Sequence, residues 1–255
     1  MKKLLSFLLA ASIFGCKYQR PPTPVQVPQE SPEEKAAKAL LATTPVPIRI
    51  AGKAYFFGDS ITEGYNGNIV TADNWVALLA ASVGWEAVNL GIGGSTLEWK
   101  INGSPSLNSM YVRAVNEIPA KTDNDKYLFF AYGINDVGFN TPDLTAEQFT
   151  ADYQFVLDKA YAQGWLAKDI VLVNIYYCNE QLVFGKGVVT PGRLAAFNTA
   201  LNTVAVKNGT RFIDINTFMK TNGAGYLLSA DGVHPTNTGY AVIARGVQAA
   251  LSTFQ

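Results

Sequence analysis

Apolar residues are distributed along this chain in two alternating patterns. From Ile48 onward, short apolar runs occur at Ala54–Phe57, Glu86–Leu90, Tyr127–Tyr132, Ile170–Ile175 and Arg211–Ile215. Between them lie longer stretches of helical periodicity, at Asn74–Val83, Ala146–Gln163, Pro191–Lys207 and Thr238–Leu251. Strands that read as continuous apolar runs are buried on both faces, and helices of ten or more residues between them supply the crossovers of a parallel sheet. The pattern predicts a three-layer α/β/α sandwich around a mainly parallel five-stranded sheet, as one domain over residues 49–255. Trp99–Lys126 is the least regular stretch and is expected to mix loop and helix. In such a sheet a ligand sits beyond the carboxyl ends of the strands, so reactive residues are sought immediately after a strand.

The N-terminal region has a different character. Met1-Lys2-Lys3 is followed by an apolar run from Leu4 to Phe14, long enough for a signal-peptide core and too short to span a bilayer. Ile13-Phe14-Gly15-Cys16 is similar to a bacterial lipobox, apart from Phe14 where a small residue is preferred. Two outcomes stay open: lipidation of Cys16 after removal of residues 1–15, or ordinary cleavage near Ala10-Ala11-Ser12. The expected location is the cell envelope in the first case and secretion in the second. Seven prolines between Pro21 and Pro47 make residues 16–48 read as an extended tether. Within it, Ser31-Pro32-Glu33-Glu34 has the form of a helix start, with a capping serine and proline at the first helical position.

Composition removes several function classes. Lysine plus arginine and aspartate plus glutamate both total 20, so no excess basic charge points to nucleic acid. Any membrane association would come through the lipid anchor alone. Two cysteines and one histidine make neither a disulfide framework nor a zinc cluster, and no metal or cofactor is expected.

Four short motifs carry the chemistry. The first strand runs into Gly58-Asp59-Ser60, and the second into Gly91-Ile92-Gly93-Gly94-Ser95. The third ends in Gly133-Ile134-Asn135-Asp136, and Asp231-Gly232-Val233-His234 precedes the last helix. Each has a bland reading alone: a turn serine, a tight glycine loop, an Asn-Asp turn, an exposed histidine. Together they supply a nucleophile (Ser60), a base (His234), a group to orient that base (Asp231) and oxyanion donors (Gly94 and Asn135). His234 is the only imidazole in the chain, so it has no rival as the base.

These blocks resemble those of the SGNH, or GDSL, hydrolases, over nearly the whole span from residue 54 to 240. The resemblance implies a flavodoxin-like fold and a serine esterase. It assigns Ser60 as nucleophile, Asp231 and His234 as the rest of a triad, and an oxyanion hole from the Ser60 and Gly94 N–H groups and the Asn135 amide. Gly93 is the less favoured register for the glycine. The Gly-x-Ser-x-Gly elbow of α/β-hydrolases is absent around Ser60.

Gly91-Ile92-Gly93 opens like a dinucleotide fingerprint, but Thr96 stands at the third glycine position, which argues against a nucleotide fold. The expected substrate is a short acyl ester, acetyl above all, on a small molecule or polysaccharide. Trp99, heading the polar stretch Trp99-Lys100-Ile101-Asn102-Gly103-Ser104, is the candidate sugar-stacking residue, with a core position as its alternative. A lipase or lysophospholipase, an acyltransferase using the same residues, and a glycan-binding lipoprotein on this scaffold are the other readings.

Overall fold

The computed structural model describes residues 30–45, 48–101, 103–138, 141, 143–184 and 192–254. The leader over residues 1–15 and Cys16 lie outside the described residues. Five parallel strands form the sheet: β1 (Lys53–Gly58), β2 (Glu86–Gly91), β5 (Asp125–Ala131), β6 (Ile170–Val173) and β7 (Arg211–Ile213). Their order is β2-β1-β5-β6-β7, and a separate two-residue ribbon pairs β3 (Lys100–Ile101) with β4 (Ser104–Pro105). Apart from the ribbon this is the doubly wound order with a switch point between β1 and β5, the position at which such folds bind their ligands.

Helices cover both faces, as the apolar strand runs require. On one side α3 (Trp75–Val83) packs against α10 (Asn237–Leu251), which also contacts α9 (Ile215–Thr221). On the other, α6 (Ala146–Ala162) packs against α8 (Arg193–Asn208) and the short α4 (Met110–Arg113). Successive residues of β1 serve the two layers. Phe56 stacks on Phe129 at 4.5 Å and meets the edge of Trp75, while Phe57 stacks on Phe130 and lies under the Arg113 guanidinium. All four phenylalanines are fully buried, and side chains of that size contribute about 2–3 kcal/mol each by transfer from water. Among the described residues no helix is long and apolar enough to cross a membrane.

Element ends follow local capping. Asn74 and Thr145 cap α3 and α6 through side-chain oxygens, the second in a reciprocal capping box with Gln148. The strand expected over Arg211–Ile215 stops at Ile213, because the Asp214 carboxylate accepts from Thr217 N at 3.0 Å and starts α9. That local cap outcompetes the apolar run, so Ile215 is a helical core residue.

The segment expected to be a tether over residues 16–48 carries a packed helix from Ser31 on. Ser31 Oγ accepts from Glu34 N and Pro32 opens α1 (Pro32–Ala42). Ala37 and Leu40, one turn apart, face the domain: Ala37 is fully buried, and Arg245 of α10 donates to Thr43 Oγ1 at 2.7 Å. A Cβ on Gly223 would lie 3.2 Å from that of Ala37, so the contact leaves little spare room. From Ser31 onward the chain is therefore one unit.

Ala37→Asp should lower the unfolding free energy by about 1–3 kcal/mol. Undocking of α1 limits the loss, since the helix can peel away before the sheet opens. Urea unfolding of the variant beside the parent checks this, and an unchanged midpoint would mean that the α1 contact adds no stability.

Candidate active site

Three strand exits build the site. In β1, Gly58 leads into Asp59, which caps the four-residue helix α2 (Ser60–Glu63) by accepting from Ile61 N at 2.9 Å. Ser60 is thereby the first helical residue, at the end of a buried strand and only 8% exposed. A Cβ on Gly91 at the end of β2 would lie 2.2 Å from Glu63 N, so a glycine there is what lets α2 sit against β2. Asp59 is fully buried, and its second oxygen, Oδ2, has no hydrogen-bond partner among the described residues. Burial pushes its carboxyl up to about 7.

The turn after β5 begins at Gly133, in a left-handed conformation with φ +132° that a side chain would strain, and α5 (Ile134–Val137) follows. Its first turn presents Asn135 and Asp136 in different directions. Asn135 Nδ2 donates to Ser95 O at 2.9 Å, which leaves the second amide N–H for another acceptor. Asp136 is fully buried and grips the loop after β2, accepting from Leu97 N at 3.0 Å and Glu98 N at 2.9 Å. Burial outweighs those N–H donors and pushes its carboxyl up to about 7. The same loop holds Gly94, at φ +71° with open space where a Cβ would stand, and Gly93, whose Cβ would lie 4.0 Å from that of Ser60.

The fourth piece is the turn before α10. Ser60 Oγ lies 2.9 Å from His234 Nε2, and His234 Nδ1 lies 2.7 Å from Asp231 Oδ2. Asp231 Oδ1 accepts from Ser229 Oγ, Val233 N and His234 N, at 2.7, 2.8 and 2.9 Å. Burial alone would raise the Asp231 carboxyl, but these donors and the imidazole outweigh it and hold the group at about 2. A carboxylate kept charged at Nδ1 favours the tautomer with a free acceptor at Nε2, which can take a proton from the Ser60 hydroxyl. The arrangement is competent for nucleophilic attack on a carbonyl carbon.

Ser60, His234 and Asp231 are thus joined by hydrogen bonds, while Asn135 is bonded to the glycine loop at Ser95 O, and that loop abuts α2. Trp99 is 37% exposed, so it is not a core residue; it stands at the entry to the β3–β4 ribbon with Lys100 Nζ 4.3 Å over its ring. Among the described residues no group of three or more His, Cys, Asp or Glu side chains could hold a metal ion.

Several supporting residues were not identified from sequence. Arg113, buried, donates to Leu90 O and Tyr132 OH, both at 2.9 Å, and so bridges the ends of β2 and β5. Its i,i+4 partner Glu117 makes it look like half of a solvated surface pair. Arg193 of α8 donates to the carbonyls of Asp136, Val137 and Thr141, fixing the turn beyond Asn135. Only Asp136 had a signal, its place in the Gly-Ile-Asn-Asp motif.

Comparison with known proteins places the chain. Residues 56–242 match the GDSL-like lipase/acylhydrolase family. Solved structures with the same fold include a lipase/acylhydrolase from Enterococcus faecalis, 19% identical, with a TM-score of 0.62 over 80% of this chain and 95% of that one. A carbohydrate acetylesterase family member from Sinorhizobium meliloti is 18% identical, with a TM-score of 0.59 over 80% of this chain and 98% of that one. An acetyl xylan esterase from Geobacillus stearothermophilus is 22% identical, with a TM-score of 0.55 over 81% and 97%. A comparison with curated proteins returns no match.

The buried carboxyls set a stability trend with pH. Asp59 and Asp136 keep their protons in the folded state up to about 7, whereas the unfolded chain releases them near its ordinary carboxylate value. The folded state then binds more protons between these limits, so their contribution to stability is full below about pH 4 and is lost as pH rises to about 7. Asp231 acts oppositely and loses its contribution as pH falls toward about 2. Asp59→Asn keeps the helix cap and removes one titrating group. Urea unfolding between about pH 4 and 7 should therefore show a shallower decline in Asp59→Asn than in the parent, and equal slopes would contradict a proton held on Asp59.

Proposed function

The chain belongs to the GDSL-like lipase/acylhydrolase family and is a carboxylic ester hydrolase; from that premise we propose that it removes short acyl groups, acetyl above all, from carbohydrate through a Ser60–His234–Asp231 triad. The observation that carries the triad is the relay of 2.9 Å and 2.7 Å contacts from Ser60 Oγ through the imidazole to Asp231. His234 takes the Ser60 proton as Oγ attacks the ester carbonyl, and Asp231 holds the imidazolium that forms. The Ser60 and Gly94 N–H groups and the second Asn135 amide N–H receive the oxyanion, each donor typically worth ~3 kcal/mol. His234 returns its proton to the leaving alcohol. Water then attacks the acyl-enzyme with His234 again as base.

The carbohydrate part of the reading is supported by Trp99, whose partly open ring suits the C–H face of a sugar, and by the polar ribbon behind it. Two fold relatives described as a carbohydrate acetylesterase and an acetyl xylan esterase agree with it. The proposal includes export and a lipid on Cys16, read from Met1–Cys16, which would put the enzyme at the envelope beside polymeric substrates.

Ser60→Ala and His234→Ala should each abolish turnover with the fold retained. Asn135→Ala should lose about 10²–10³ in kcat. Near-native activity in His234→Ala would end the triad assignment, because no second histidine can replace it. The substrate reading is checked by kcat/KM for acetyl, butyryl, octanoyl and palmitoyl esters beside acetate release from acetylated polysaccharides. Preference for octanoyl or longer chains would favour a lipase-like enzyme instead.

Mass spectrometry of the mature N-terminus should find a diacylated or triacylated Cys16. An unmodified chain starting upstream of it would remove the anchor from the proposal.

A further inference from the structure

The segment after α2 touches both halves of the catalytic pair. Gly64 closes α2 in the left-handed region at φ +116°, and both Gly64 N and Tyr65 N donate to Ser60 O at 2.9 Å. The backbone of Tyr65 thus hangs on the carbonyl of Ser60. Its own carbonyl accepts from Tyr240 OH at 2.7 Å, and Tyr240 belongs to α10, the helix that begins just beyond His234. Between these two anchors the Tyr65 ring stands perpendicular to the imidazole, with 4.7 Å between ring centroids and 90° between planes.

The loop carrying Tyr65 is itself held. Asn66 Oδ1 accepts from Asn68 N and Ile69 N, and Asn66 Nδ2 donates to Asn237 Oδ1 at 3.1 Å. Gly67 passes so close to Ser229 that a Cβ would lie 2.4 Å from its Oγ and 3.7 Å from Asp231 Oδ2. The loop is therefore seated on the acid side of the relay and offers the ring from a fixed base.

We infer that Tyr65 is a positioning residue whose ring keeps the His234 imidazole aligned between Ser60 and Asp231, above all in the acyl-enzyme. The inference rests on the triad reading. In the free enzyme two in-plane hydrogen bonds define the imidazole, one at each nitrogen. Once Ser60 Oγ is esterified it has no proton to donate, and the bond at Nε2 is gone. Asp231 then holds one nitrogen, and a ring anchored at one point can rock about it. The perpendicular Tyr65 ring blocks that motion while Nε2 waits for the attacking water. Loss of the ring therefore slows the second half-reaction more than the first.

The test uses the full chain without a histidine tag, with p-nitrophenyl acetate as probe. Tyr65→Leu should lose about 10–10²-fold in kcat, the scale of a displaced catalytic group, with KM unchanged or lower. It should also show a burst of nitrophenol approaching one equivalent per enzyme before the slow steady state, since acyl-enzyme accumulates. Tyr65→Phe, which keeps the ring, should restore most of the rate. Because His234 is the only histidine, its ring proton signals report directly, and they should broaden in Tyr65→Leu but not in Tyr65→Phe. Thermal melting verifies the fold, and Tyr65→Met takes the place of Tyr65→Leu should the latter unfold.

A folded Leu or Met variant with kcat within about twofold of the parent would overturn the inference, as would an equal loss in Tyr65→Phe. His234→Ala separates the two readings: if it stays active the triad itself fails, whereas an inactive His234→Ala beside an unaffected Tyr65→Leu sinks only the role of Tyr65.

Discussion

The common level at which three parallel strands end is the constraint from which the site follows. Gly58 pairs with Gly91 on one side and Ala131 on the other, so β1, β2 and β5 release their chains at one edge of the sheet. Within a few residues each exit delivers its part: Ser60, the Gly93-Gly94 turn and Asn135. A one-residue slip of any strand would turn its side chains to the opposite face and take its exit out of reach. Packing holds the level in place, since the stacks Phe56–Phe129 and Phe57–Phe130 tie β1 to β5 on both faces. Asp231 and His234 arrive from outside this edge, His234 174 residues after Ser60, and α10 packing against α3 fixes where their turn can sit.

Two kinds of carboxyl stand in this small volume, and their environments drive them apart. Asp231 is partly exposed and collects donors on both oxygens, which keeps it charged beside the imidazole. Asp59 and Asp136 are fully buried, and there desolvation wins even though Asp136 also accepts backbone N–H groups. Asp152 is raised as well, by burial and then by its neighbour Glu98, so the loop carrying Glu98 lies against a second reluctant carboxyl. The Asp231 carboxylate places its charge where an imidazolium would form, while burial favours the protonated forms of Asp59 and Asp136. Further charged carboxylates near the oxyanion position would oppose the same step.

Much of this was legible from residues alone, for reasons that can be stated. Buried parallel strands read as apolar runs, so five strands and four long helices could be placed within a few residues of where they lie. The motifs were legible because exit positions in such a sheet are where chemistry is sought. Boundaries failed where a cap outcompeted hydrophobicity, as at Asp214. The N-terminal helix was visible as a capped start at Ser31-Pro32, but its docking was not, because α1 exposes Ala39 and Leu41 as well as docking Ala37 and Leu40, so no single apolar stripe stands out. Arg113, Arg193 and Tyr65 could not be read at all: each acts through partners distant in sequence or through a ring contact that no local pattern encodes.

The loop after β2 brings together two properties that could have been separate. Its Leu97 and Glu98 N–H groups are held by Asp136, one residue beyond Asn135, and its Ser95 carbonyl is held by Asn135 itself. The backbone that supplies Gly94 is therefore clamped to the residue proposed to share the oxyanion with it. Trp99 follows one residue after the clamp, at the start of the ribbon. A surface proposed to recognise the substrate is thus borne beside the loop proposed to receive the oxyanion. On the reading proposed above, variation in the ribbon changes what is recognised while the Asp136 contacts hold the loop, in keeping with one fold hosting many functions.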